Sequence, residues 1–247
     1  MKMTVNKKIQ NFAQNLAKTL HKNLDFTATE QYKILRANLS FTIPEDVVCP
    51  IIGVTSSVRG EGKSTTAVNL SYVLAESGKK VLLIDGDLRI PSIAKKMGIE
   101  SAPGLSNLLM RYESRQILSF KSGILDNWFI IPAGNIPPNP SELLGSAKME
   151  KFLQSMAEDF DYIIIDLPPV NIVSDALAVS RYITGMVVVV RQDYTEKKEF
   201  EACSRQLELS NVKVLGCVMN GEKSGKGSYG RYNKKYYKKY KYYKSEN

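Results

Sequence analysis

The chain has 247 residues, 43% of them hydrophobic and 24% charged, which suffices for one sizeable core. A single histidine, His21, and three widely separated cysteines, Cys49, Cys203 and Cys217, argue against histidine-based catalysis and against a cysteine metal or redox motif, and they predict reduced, buried thiols. The net charge of +9 is unevenly placed, because residues 221–247 hold nine Lys or Arg against Glu222 and Glu246, a balance of +7 that leaves only +2 for the first 220 residues.

The start of the chain is basic but has no apolar core region behind it, which excludes a signal peptide reading. Within residues 7–24, Ile9, Phe12, Ala13, Leu16, Ala17 and Leu20 recur at helical spacing, predicting an amphipathic helix that packs on its own domain, on a partner or on a membrane surface. Thr27-Ala28-Thr29-Glu30 reads as a capping box opening a second helix. On that helix Tyr32, Leu35 and Leu39 face one way, and Glu30, Lys33 and Arg36 lie on another arc.

Apolar runs then alternate with helical segments. Strands are predicted at 51–55, 81–85, 128–131, 162–166, 187–190 and 212–219, and helices at 64–76, 149–158, 175–182 and 196–208. Near-continuous β-branched strands separated by helices indicate a parallel sheet buried on both faces. The expected fold is therefore an α/β doubly wound, mostly parallel sheet, with ligands at the carboxyl ends of its strands. The longest apolar run, 183–190, is too short to cross a bilayer. The chain divides into an N-terminal helical region (1–49), an α/β domain (50–220) and a disordered basic tail (221–247), where aliphatic residues cease and nothing offsets the entropy of ordering.

Between the first strand and its helix lies Ser56-Ser57-Val58-Arg59-Gly60-Glu61-Gly62-Lys63-Ser64-Thr65. A glycine-containing turn lets backbone N–H groups approach phosphates, and the following helix N-terminus adds partial positive charge. Lys63 would reach the β- and γ-phosphates of ATP, and Ser64 would place its hydroxyl on Mg²⁺. The match to the P-loop pattern is incomplete, since Ser57 stands where its first glycine belongs. Two later strands end in acid, Val81-Leu82-Leu83-Ile84-Asp85-Gly86-Asp87 and Ile163-Ile164-Ile165-Asp166. Asp85, Asp87 and Asp166 converging on one P-loop suit metal binding and, for one of them, proton abstraction. Asn220 ends the last strand, where its amide would meet adenine's edge or simply close a turn.

Seven of thirteen tyrosines, Tyr229, Tyr232, Tyr236, Tyr237, Tyr240, Tyr242 and Tyr243, fall in the last nineteen residues. A solubilising tail needs lysine but not tyrosine. Stacking on single-stranded nucleic acid is one reading. Phosphorylation is the other, and full modification would add roughly −10 to −14 to the segment. A near-neutral body without a second basic patch argues against nucleic acid.

These motifs together resemble the bacterial protein-tyrosine kinases of capsule and exopolysaccharide synthesis, in the split Gram-positive type. Gly60 to Thr65 is similar to that family's Walker A segment, Leu83 to Arg89 to its Walker A′ motif, and Ile163 to Pro168 to its Walker B. Pro137-Pro138-Asn139-Pro140-Ser141-Glu142-Leu143-Leu144 is also typical of it. The resemblance implies autophosphorylation of the tail tyrosines between subunits, with Asp85 as base and Asp87 and Asp166 on Mg²⁺, the two roles being exchangeable between Asp85 and Asp87. Glu30, Lys33 and Arg36 are similar to an E-x-x-R-x-x-R assembly motif in which lysine replaces the first arginine and loses its bidentate fork. It further implies a homo-oligomer, with a ring as one form, and a separate membrane-embedded activator. Polysaccharide-synthesis enzymes would be substrates, and the cytoplasmic chain would be recruited to the inner membrane face. The alternative is a partitioning or septum-placement switch ATPase, but Val58 stands where those carry a lysine, and they lack a tyrosine-rich tail.

Overall fold

The computed structural model describes residues 24, 26–110, 120–122 and 124–221. The predicted helix at 7–24 and the tail tyrosines lie outside them, apart from the backbone of Leu24.

The chain opens with α1 (Phe26–Thr42), then β1 (Ile51–Ser56), α2 (Lys63–Glu76), β2 (Val81–Asp85), α3 (Ile93–Met97) and α4 (Leu105–Met110). It continues through β3 (Phe120–Lys121), β4 (Trp128–Ile131), α5 (Pro140–Leu144), α6 (Ala147–Ala157), β5 (Tyr162–Asp166) and α7 (Asp175–Val179). One 3₁₀ turn (Ser180–Tyr182) leads to β6 (Gly185–Arg191), α8 (Lys197–Leu209) and β7 (Val214–Asn220). The seven strands form one sheet in the order β3-β4-β2-β5-β1-β6-β7. All neighbours are parallel except β3, which runs antiparallel along β4 at the edge. Every strand and helix predicted between residues 26 and 220 is present within a few residues, and the parallel sheet is as expected from its β-branched runs.

Successive strand residues point to opposite faces and feed two separate cores. Leu82, Ile84, Ile163, Ile165 and Val188 pack with Phe152, Leu153 and Met156 of α6 and Cys203 and Leu207 of α8. Ile52, Leu83, Ile164 and Val187 pack on the other face with Val68, Leu70 and Val73 of α2. There Trp128 is fully buried, edge-on to Tyr72 at 5.6 Å, and its Nε1–H donates to Ser71 Oγ at 3.1 Å. α6 starts at a true cap, with Ser146 Oγ accepting from Met149 N at 3.3 Å.

Three details differ from the sequence reading. α1 begins at Phe26, so Thr27 lies inside its first turn rather than before it, and Glu30 engages Lys33 through the charge pair at 2.8 Å. Its apolar face is as expected, with Leu39 buried and Tyr32 and Leu35 half-buried against the α2 side of the sheet. Cys217 is exposed, unlike Cys49 and Cys203, because β7 is an edge strand with little packed over it. The short elements α3, α4, α5 and β3 have too few residues to show a period of their own.

Candidate active site

The residues expected at the phosphate site lie at the carboxyl end of the sheet, around the loop between β1 and α2. Gly62 caps α2 with φ 95°, in the left-handed region that favours glycine. A Cβ there would stand 2.0 Å from Asn220 Nδ2, so the close approach of that amide also requires glycine. Asn220 Nδ2 donates to the Glu61 carbonyl at 3.0 Å, and its Oδ1 accepts from Gly221 N at 2.8 Å. The end of β7 is thereby tied to the loop, leaving one amide hydrogen and one lone pair of Asn220 for a base edge.

Glu61 is fully buried and braces the loop from within. Its Oε2 accepts from Val58 N at 2.8 Å, and its Oε1 accepts from the Thr195 hydroxyl. From the end of β6 and the turn after it, Arg191 Nη1 donates to Gly60 O at 3.0 Å and Tyr194 Oη to Arg59 O at 3.0 Å, with the guanidinium 5.2 Å from the Tyr194 ring. Ser57, at the missing glycine, is buried, and its Oγ has no hydrogen-bond partner.

Lys63 is the centre of the charge arrangement. Its Nζ donates to Asp87 Oδ2 at 3.0 Å and Asp166 Oδ1 at 3.2 Å, and lies 3.4 Å from Ser64 Oγ. Burial works against its positive charge, but Asp166 and Asp87 hold its pKa above the ordinary lysine value. Asp85 and Asp166 are register partners on β2 and β5, both fully buried. Asp85 Oδ2 accepts from Ser92 N at 3.0 Å and Ile93 N at 2.9 Å, so β2 ends by capping α3. Its Oδ1, like Asp166 Oδ2, has no hydrogen-bond partner. Burial and the neighbouring Asp166 push the Asp85 carboxyl up to about 7. Burial also raises Asp166, opposed chiefly by Lys63.

Among the described residues no three carboxylates, thiols or imidazoles close into a metal cage. The expected convergence of Asp85, Asp87 and Asp166 is on Lys63, with Asp85 turned to the α3 N-terminus. Magnesium at a nucleotide needs only one or two carboxylates beside phosphates and water, and the orphaned carboxylate oxygens fit such an ion.

Sequence reasoning missed two groups. Lys96 on α3 donates to Thr65 Oγ1 at 3.2 Å, and burial, opposed by Asp166, lowers its pKa. Arg89, two residues after Asp87, makes a two-pronged ion pair with buried Asp175, Nε to Oδ2 at 2.9 Å and Nη2 to Oδ1 at 3.0 Å. The Ser141 hydroxyl donates to the same carboxylate. Arg89 and Ser141 stood in quoted motifs, but no spacing linked either to Asp175. Of the assembly set, Arg36 turns inward, its Nη1 donating to Val73 O of α2 at 2.7 Å.

Residues 49–198 match the family model of the AAA domain, which covers more than half the chain. The tyrosine-protein kinase YwqD of Bacillus subtilis is 37% identical over 210 residues, 84% of this chain and 87% of that protein. The chain belongs to the bacterial protein-tyrosine kinases. The tyrosine-protein kinase wzc of Salmonella typhi is 32% identical over 85% of this chain, but that match spans only 29% of wzc. Among solved structures, the kinase domain of the Escherichia coli tyrosine kinase ETK superposes with TM-score 0.77 at 31% identity, over 87% of this chain and 84% of that one. The chain is thus a tyrosine kinase on a P-loop nucleotide-binding fold, and the switch-ATPase alternative gives way to that reading. No described helix of this kinase is long and apolar enough to cross a membrane.

Proposed function

We propose that the chain uses Mg²⁺–ATP to phosphorylate the tyrosine cluster Tyr229–Tyr243 of a neighbouring copy, and that it regulates capsule or exopolysaccharide synthesis. The observation that carries the reading is the Lys63 ammonium held between Asp87 and Asp166, with the Asp85 carboxylate alongside. Phosphoryl transfer needs positioning and charge neutralisation above all. Lys63 would shift onto the β- and γ-phosphates, while Gly60, Glu61, Gly62, Ser64 and Thr65 would offer backbone N–H groups around the α2 N-terminus that Gly62 caps. Asn220 closes the base side of the mouth. Ser64, Asp87 and Asp166 would hold Mg²⁺, which supplies charge neutralisation on the phosphates when bound. Asp85 accepts the phenol proton through its orphaned Oδ1, and a carboxyl near neutrality suits that task.

A homo-oligomer brings tail and neighbouring site together. Ile34 and Phe41 are exposed along α1 beside Glu30 and Lys33, an apolar stripe suited to a second copy. That wzc is far longer than the matched segment supports a separate membrane-embedded partner, which would activate this chain and recruit it to the inner face of the membrane. The enzymes of polysaccharide synthesis would be further substrates.

The test is incubation with ATP and Mg²⁺ followed by phosphosite mapping. Phosphate should appear on the tail tyrosines. Lys63→Met should lower the rate by at least about a hundredfold with the fold intact, as removal of a transition-state donor does elsewhere. Normal autophosphorylation of that variant, or hydrolysis without phosphotyrosine, would overturn the reading.

A further inference from the structure

The rim of the site carries three exposed isoleucines that the chemistry above does not use. Ile90 is 51% exposed, Ile136 68% and Ile172 47%. They stand on three different loops, those leaving β2, β4 and β5, and these strands are adjacent in the order β4-β2-β5. A single buried carboxylate ties the same three loops together. Arg89 precedes Ile90, Ser141 lies a short way beyond Ile136 on α5, and Asp175 closely follows Ile172. Asp175, fully buried, accepts from Arg89 Nε and Nη2 and from Ser141 Oγ. Large exposed aliphatic side chains on loops that leave three adjacent strands, at the end of the sheet that holds the polar cleft, suit a binding surface.

Topology indicates what binds there. The P-loop follows β1, Arg191 ends β6 and Asn220 ends β7, so one half of the mouth belongs to the nucleotide. Lys63, Asp87 and Asp166 mark where the transferred phosphoryl group sits. Attacking and leaving oxygens lie in line on opposite sides of that group. The acceptor therefore enters from the β4-β2-β5 half, across the isoleucines. We infer that this rim seats the phenol ring and flanking residues of an acceptor tyrosine from the tail of a second copy, an inference that rests on the tail-phosphorylation reading above. A tyrosine ring suits the surface because its body is apolar and its only polar atom is at the tip. In the transfer, the acceptor Oη–H bond breaks with its proton passing to Asp85. The Oη–P bond forms as the bond from phosphorus to the departing ADP oxygen breaks.

The experiment mixes a donor copy with an isotopically heavy acceptor copy carrying Lys63→Met, and reads phosphate on the heavy tail by mass. With Ile136→Asp and Ile172→Asp together in the donor, kcat/KM for the acceptor should fall at least about tenfold, as loss of two part-buried aliphatic contacts predicts. The same pair placed in the heavy acceptor should leave the rate unchanged, and the donor's affinity for a fluorescent ADP analogue should also be unchanged. An unaltered rate with the donor variant, or equal losses from both placements, would overturn the docking surface. A wild-type donor that hydrolyses ATP but never labels the heavy tail would instead overturn the tail-phosphorylation reading on which it stands.

Discussion

At the residue scale the site stores a charge problem that pH can expose. Asp85 lies fully buried beside Asp166, and its folded pKa is pushed up to about 7, against roughly 3.9 in an unfolded chain. A group raised on folding contributes stability that is complete below the unfolded value and is lost as pH rises through the folded one. The kinase without nucleotide or metal should therefore lose thermal stability between about pH 4 and 7. Asp85→Asn removes one of the two raised carboxyls, so its melting temperature should fall less over that interval, by differential scanning fluorimetry. A wild type and variant with parallel profiles would show that the Asp85 charge is relieved in some other way. In phosphotransfer the same variant should be nearly inactive, because no group at that position can take the phenol proton. If it turned over normally with ATP, the base would have to be Asp87.

Elements show how much of this was legible in the sequence, and why the rest was not. Five of the six parallel strands were legible because each buries a run of aliphatic residues, as Tyr162–Asp166 and Val81–Asp85 do, and β7 was legible from its aliphatic run although it lies largely exposed at the edge. The P-loop was legible because Gly60, Gly62 and Lys63 serve one local turn. The Asp175 carboxylate was not, because it meets Arg89 and Ser141 only through the crossing of three loops. Nor was the inward turn of Arg36. Its bond gives Val73 O a second donor beside Ser77 N, near the C-terminal end of α2, and pins α1 to the P-loop helix. Hydrogen bonds from charged donors are worth about 1.5–3 kcal/mol, less where water competes. Arg36→Ala should therefore lower the melting temperature by roughly 3–8 °C. Glu30→Ala breaks a half-exposed pair with Lys33, of a kind worth little, and should change it by only about 1 °C. Equal effects from the two substitutions would mean that Arg36 acts at a surface and not as the pin of α1.

On the scale of the whole molecule, the sheet divides its mouth into a nucleotide half and an acceptor half, and the basic tail follows the last strand on the nucleotide side. The hydrogen bonds of Asn220 place the root of that tail at the P-loop. The tail's +7 charge would be drawn to acidic partner surfaces or an anionic membrane face, at about 1 kcal/mol per basic residue close to a membrane. Assembly through α1 would raise the effective concentration of one copy's tail at the next copy's site. Each phosphotyrosine adds about −1.5 to −2, so four or five modifications cancel the charge and seven reverse it. Phosphorylated tails would then repel one another, and an assembly that held them together would loosen. Light scattering before and after ATP should show the wild type falling in subunit mass as phosphate accumulates. A variant with all seven tail tyrosines changed to Phe should keep its mass, since the ring is retained and the acceptor oxygen is gone. Should the two behave alike, phosphorylation of the tail would be separate from control of assembly, and the switch would have to lie in the α1 contacts themselves.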